Sequence, residues 1–194
     1  MQSTVPATGI LDFFRNGFEH TAWRLETRRE YDADQRTEEY QQFLQGVAPD
    51  NDEDSPWYSN TRTQTGQGKR IERVRLVDEP ATDNQRYLLA TTPGNLAAGE
   101  DIRYLYRSAA AAIGLEEEGD FWLFDSQVLA RFNWQDSDRR MELTTDPEQV
   151  LRACQVRDAA WHYAVRYEEF NRRVPSPCEH RFPARPDPSR CAAP

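Results

Sequence analysis

The sequence predicts an α/β fold with a single mixed sheet and flanking helices, and three observations carry that prediction. Short apolar runs with strand-like alternation recur along the chain. The cleanest is Ile71–Val77, with Ile71, Arg73, Arg75 and Val77 on one parity and Glu72, Val74 and Leu76 on the other. Helix-start signals stand between such runs, at Ser55-Pro56, Thr92-Pro93 and Asp146-Pro147-Glu148-Gln149. Finally, Phe121–Phe124, Val128–Trp134 and Met141–Thr144 follow one another with only turns between them, the pattern of an antiparallel meander.

Taken in order, residues 1–9 are polar and read as a frayed end. Ile10–Phe18 is a short amphipathic segment, and Thr21–Thr27 alternates as a strand. Asp34–Leu44 reads as a helix closed by Gly46. Asp50, Asp52, Glu53 and Asp54 form an acidic loop whose spacing is not that of a calcium loop. The helix begun at Ser55-Pro56 carries Trp57 and Tyr58 and ends at Gly66-Gln67-Gly68. Those glycines precede a strand and lack a Lys-Ser/Thr pair, so they do not make a phosphate loop. Glu79-Pro80 ends the Ile71–Val77 strand, because proline cannot continue a ladder. Gln85–Ala90 is a further apolar run, and a short helical stretch from Thr92-Pro93 closes at Gly99. Glu100–Leu105 is the next strand, and Ser108–Ile113 is an alanine-rich helix. Asp125-Ser126-Gln127 makes the first bend of the meander, and Gln135–Arg139 is a polar turn. On the long last helix Val150, Cys154, Trp161 and Val165 trace one face. Residues 1–171 form a single α/β domain in this reading, and 172–194 a proline-rich disordered tail.

Composition bounds the function. Net charge is −9 over 194 residues, which argues against duplex DNA as a partner because phosphate contacts need clustered cations. Mean hydropathy is −0.90, and no apolar run is long enough for a membrane span. Cys154, Cys178 and Cys191 match no zinc spacing, and no cofactor motif is present, so neither a metal nor a cofactor is expected. An odd number of thiols without a signal peptide fits a reduced, cytoplasmic protein. Lys69 is the one lysine, and the arginine bias is that of a GC-rich coding sequence.

Several blocks carry a family resemblance. They are Thr21-Ala22-Trp23-Arg24-Leu25-Glu26-Thr27-Arg28 with Tyr31, Arg73-Val74-Arg75-Leu76-Val77 with Glu79-Pro80, and Arg86. Asn95 with Ala98-Gly99-Glu100-Asp101-Ile102-Arg103, Phe121-Trp122-Leu123-Phe124-Asp125 and Arg157-Asp158-Ala159-Ala160-Trp161 complete the set. From about Phe14 to Tyr167 the chain resembles the actinobacterial DUF6879 family. It departs from the family at Asn84, where tyrosine is usual, and at Arg166, where proline is usual. The resemblance implies a fold like one half of a phospholipase-D-like protein, without the His-x-Lys motif of its hydrolytic chemistry. It also implies a relation to arginine-containing cyclodipeptide synthases, with aminoacyl-tRNA as the partner. Other members sit beside transcriptional regulators.

No nucleophile motif is present, and His20, His162 and His180 are scattered. The candidates are charged residues at strand ends, which are costly to bury unless paired. One reading is an ion-pair network that fixes strand register. The other is a polar pocket at the sheet ends. In the pocket reading, Glu100, Asp125 and Glu79 do the acid–base work, and Arg24, Glu26, Arg86, Arg103 and Trp122 hold the substrate. Glu100, Arg103 and Asp125 are expected to converge. Arg70, Arg73 and Arg75 would form the cationic surface that a tRNA needs. Two functions follow: an aminoacyl-tRNA-dependent synthase making a cyclic dipeptide, and a non-catalytic binding protein working with a regulator. Oligomeric state is not legible.

Overall fold

The computed structural model describes residues 2–50, 55–115, 118–133 and 141–173. The acidic residues 52–54, the polar turn at 135–139 and the tail beyond 173 lie outside the described residues. One mixed sheet of eight strands runs through the molecule in the order β1-β7-β6-β5-β2-β3-β4-β8. Its centre is parallel: β2 (Thr21–Glu26), β3 (Arg70–Val77) and β4 (Asp101–Tyr106). On one side the expected meander of β5 (Phe121–Phe124), β6 (Val128–Phe132) and β7 (Met141–Thr144) continues the sheet antiparallel. The edges are β1 (Gln2–Val5) beyond β7 and the two-residue β8 (Val165–Arg166) beyond β4. The N-terminal residues expected to fray are thus in the sheet, because the backbone of β7 offers them a partner edge.

The two faces of the sheet differ in kind. One is apolar: Trp23, Leu25, Val74, Leu76, Phe121, Leu123 and Leu129 pack on α8 (Pro147–Tyr163) through Val150, Ala153, Val156 and Ala160. Asp146 caps α8 by accepting from the Gln149 N–H at 3.0 Å. Val165 falls in β8 rather than on the helix, since Ala164 is already extended. The opposite face carries Trp122 and Phe124 at the meander side, against which Phe14 and Phe18 pack. In the parallel centre it carries Arg24, Glu26, Arg73 and Arg75. It is covered by α1 (Ile10–Asn16), α4 (Pro56–Gly66), α5 (Asp83–Ala90) and α6 (Thr92–Ala97). The apolar run at 85–90 is therefore helical, begun by a Thr82/Gln85 capping box. The helix expected over 34–44 is divided into α2 (Asp32–Gln35) and α3 (Glu38–Leu44), because Thr37 breaks out to cap the second.

Candidate functional site

Register builds the site. Arg24 lies beside Arg73 and Glu26 beside Arg75 across the parallel β2–β3 pair, so their side chains share one face. A lone carboxylate, Glu26, 5% exposed, holds three guanidiniums: Arg24 at 2.8 Å, Arg73 at 2.9 Å and Arg75 at 2.5 Å. Burial alone would raise the Glu26 carboxyl. The pull of the three arginines outweighs it and holds the group well below the usual carboxylate range. Arg73 also donates to Glu100 at 2.8 Å, and Arg24 to Asp120 at 3.3 Å. Arg75 is completed by the Leu88 carbonyl, Thr92 Oγ1 and the Tyr104 hydroxyl. Glu100 accepts from Trp57 Nε1 at 2.6 Å and Asn95 Nδ2 at 2.8 Å as well. Asp120 accepts from the Thr27 and Arg28 N–H groups and the Tyr31 hydroxyl.

Above this floor lies a cavity of about 570 Å³, well within the size range of small-molecule sites. Arg24, Arg73, Arg75 and Trp122 line it from the sheet, Trp57 and Tyr58 from α4, and Tyr87, Leu88, Thr91 and Asn95 from the α5–α6 region. Its remaining wall includes Asp34 of α2 and Glu39 of α3. Burial pushes the Asp34 carboxyl up, against a hydrogen bond from Asn84 that lowers it. Tyr87 donates to Glu39 at 2.8 Å, and burial followed by that bond pushes its phenol well above the ordinary range. The Arg24 and Arg73 guanidiniums sit 5.6 Å from the Trp122 ring. Among the described residues no His, Cys, Asp and Glu side chains are grouped to hold a metal ion, and no helix is long and apolar enough to cross a membrane.

The cavity opens on a sheet face, whereas the sequence placed it at the strand ends. Its lining takes in Arg24 and Trp122 together with Arg73 and Arg75, while Glu26 and Glu100 lie outside the lining as the ion-pair partners of those arginines. Arg73 and Arg75 are 6% and 5% exposed, so they are not a phosphate-binding surface; of the expected nucleic-acid trio only Arg70 is exposed. Asp125 does not meet Glu100. Both sit at the end of the sheet where the parallel strands begin, but β2 and β3 lie between them, about 14 Å of strand spacing. Asp125 instead accepts from the backbone N–H groups of Glu19, His20 and Thr21 at 2.7–2.8 Å. Burial alone would raise this carboxyl, and those bonds bring it below its ordinary value. Arg103 lies on the opposite face, since its register partner is Val74, and stacks 3.7 Å over the Trp161 ring. Glu79 is exposed beside its cis bond to Pro80. Arg86 spends its donors on the Ala81 carbonyl and Asp83.

The sequence reading passed over Trp57, Asn95, Asp34 and Glu39 as site residues. Asp34 and Glu39 stand in helix first turns, where acids are ordinary, so sequence offers no signal for them. Asn95 was visible in one of the blocks that carry the family resemblance, five positions before Glu100, but with no role attached to it.

The family model described as a domain of unknown function, DUF6879, matches residues 9–172, and the chain belongs to that family. No curated protein matches. Among solved structures the chain is similar to Nuc from Salmonella typhimurium, a phospholipase D family member. Identity is 9%, coverage 86% of this chain and 99% of that one, and the TM-score 0.52. NucT from Helicobacter pylori matches at 12% identity over 86% of this chain and 98% of that one, with a TM-score of 0.47. Phosphatidylserine synthase from Haemophilus influenzae matches at 13%, over 87% and 41%, with a TM-score of 0.43. The likeness to Nuc shows a phospholipase-D-like α/β fold.

Proposed function

We propose, for this DUF6879 member, that the cavity is the functional site and takes an amino-acid-derived ligand. One juxtaposition carries this reading: guanidinium and indole side chains on the floor face carboxylates on the wall, around a space sized for a small molecule. An amino acid or its ester offers an oxygen acceptor to the first and a cation to the second.

The chemistry that the sequence resemblance attaches to such a pocket is aminoacyl-tRNA-dependent synthesis of a cyclic dipeptide. There the amine of one aminoacyl group attacks the ester carbonyl carbon of another. The ester C–O bond breaks, and the terminal oxygen of that tRNA leaves with the electron pair and takes up a proton; the free amine of the resulting dipeptidyl ester then attacks the remaining ester carbonyl, closing the ring and releasing the second tRNA in the same way. The ester already carries the activation, so no ATP is consumed. The amine attacks only after its ammonium loses a proton. Glu100 and Asp125 are poorly placed to take it, since the first is filled by three donors and the second is committed to backbone. Asp34 suits the role better, because burial raises its affinity for a proton. The assay is ribonuclease-sensitive formation of a cyclic dipeptide from charged tRNA without ATP. Product that survives ribonuclease, or no product with any charged tRNA, removes this chemistry.

One observation supports a second, non-catalytic reading. The floor's three arginines are matched by the three carboxylates of Glu26, Glu100 and Asp120, a charge-balanced network suited to fixed recognition. A binding protein working with a transcriptional regulator would need no more than this. A neighbouring gene for a helix-turn-helix protein would favour it, and neighbouring tailoring enzymes would favour the synthase.

A further inference from the structure

The cavity has two unlike ends. From the sheet it is lined by Phe132 on β6, Trp122 on β5, Arg24 on β2 and Arg73 on β3, which are four neighbouring strands. Three strand spacings separate the first from the last, about 14 Å. At the β3 end Arg75 donates to the Leu88 carbonyl of α5, and Asp34 and Glu39 accept from Asn84 and Tyr87 of the same helix. These ionic groups therefore gather at one end.

The β6 end is apolar. Phe14 fixes α1 there by packing on Trp122 and Phe124, at 4.7 and 5.5 Å between ring centres. Ile10 and Leu11 stand one turn before Phe14 on the same helix face. Both line the cavity and are only half-buried. Phe132 and Trp57 line it too and are likewise half-buried. Large apolar side chains thus keep accessible surface around one concave space. Water finds few partners against such walls, and an apolar group that replaces it gains affinity. The rings already present set the kind of group. Phe14 meets Trp57 edge to face, with ring centres 5.1 Å apart and planes at 82°. Another ring entering beside them can make contacts of the same geometry.

We propose that the β6 end of the cavity is a subsite for an uncharged aromatic side chain of the ligand, with Leu11 and Phe132 setting its selectivity and the polar head of the ligand lying over Arg24 and Arg73. A charge carried on that side chain would be desolvated against apolar walls without a partner, so the subsite rejects it. The length of the cavity suits a ligand that is polar at one end and aromatic at the other. This rests on the cavity being the functional site, and not on any tRNA chemistry.

The test is ligand-detected NMR on the full chain at neutral pH, with the methyl esters of L-phenylalanine, L-alanine and 4-carboxy-L-phenylalanine. The phenylalanine ester should bind at least about tenfold tighter than either of the others, about 1.4 kcal/mol. Leu11→Asp and, independently, Phe132→Ala should each weaken the phenylalanine ester at least about fivefold and leave the alanine ester within about twofold. Leu11 belongs to none of the core clusters, so Leu11→Asp should keep the melting temperature within a few degrees, and it carries the test if Phe132→Ala fails to fold. An alanine ester that binds as tightly as the phenylalanine ester overturns the subsite and leaves the cavity as a ligand site. Equal binding of the 4-carboxy ester, or a full aromatic preference retained in folded Leu11→Asp, overturns the subsite as well. No binding by any of the esters removes the cavity reading, and the subsite with it.

Discussion

Replacing Glu26 by glutamine removes one charge and almost no volume, so the consequence is electrostatic. Three buried guanidiniums lose their common carboxylate. Arg73 keeps Glu100 and Arg24 keeps Asp120, but Arg75 is left with neutral partners alone: Leu88, Thr92 and Tyr104. Breaking a buried pair by removing one partner costs about 3–5 kcal/mol. In a domain of this size that lowers the melting temperature by roughly 6–20 °C. The assay is urea or thermal unfolding beside Asp12→Asn, which breaks a surface pair with Arg15 and should change stability by less than about 0.5 kcal/mol. The same carboxylate gives a pH signature. Its folded pKa lies below the unfolded value, so its stabilisation is complete above about pH 4.3 and is lost as pH falls towards the folded value. E26Q should therefore flatten the acid limb of the stability curve. An E26Q chain that unfolds within about 1 kcal/mol of the parent at pH 7 would refute the claim that Glu26 holds the sheet face together.

Asp125→Ala should cost about 1.5–3 kcal/mol by uncapping three backbone N–H groups at the entry to β2, read as a urea midpoint shift, while ligand binding in the folded protein stays unchanged. Gly99→Ala should destabilise by at least about 1–2 kcal/mol, since φ is +96° and a Cβ there would sit 2.6 Å from Thr65 Oγ1. Asp34→Asn should leave the melting temperature at pH 7 unchanged or higher. Its folded pKa is raised, so the contribution of the native carboxyl is full below the unfolded pKa and fades as pH rises. A fall of many degrees would show that the Asp34 charge is structural.

Much of the fold was legible because strand and helix signals are local. The alternation of 71–77, the proline-marked helix starts and the meander each depend on a few adjacent residues. The division of α2 from α3 was not legible, because it turns on whether Thr37 caps or continues a helix. The β1 strand was not legible either, because its polar residues are ordered only by the edge of β7.

For the site, the sequence by itself determined which charges share a parity: Arg73 with Arg75, and Arg24 with Glu26. Side-chain period along a strand is a local property of the backbone. Which way that parity faces is not local. An alternating row of arginines ordinarily marks the solvent side of a sheet. Here the register of β2 against β3 brings Glu26 into reach of three guanidiniums, and α4, α5 and α6 close over the result. Three arginines that read as a surface for nucleic acid or as strand-end charges become the buried floor of a cavity. Only tertiary packing could decide that, because burying a charge depends on partners distant in sequence.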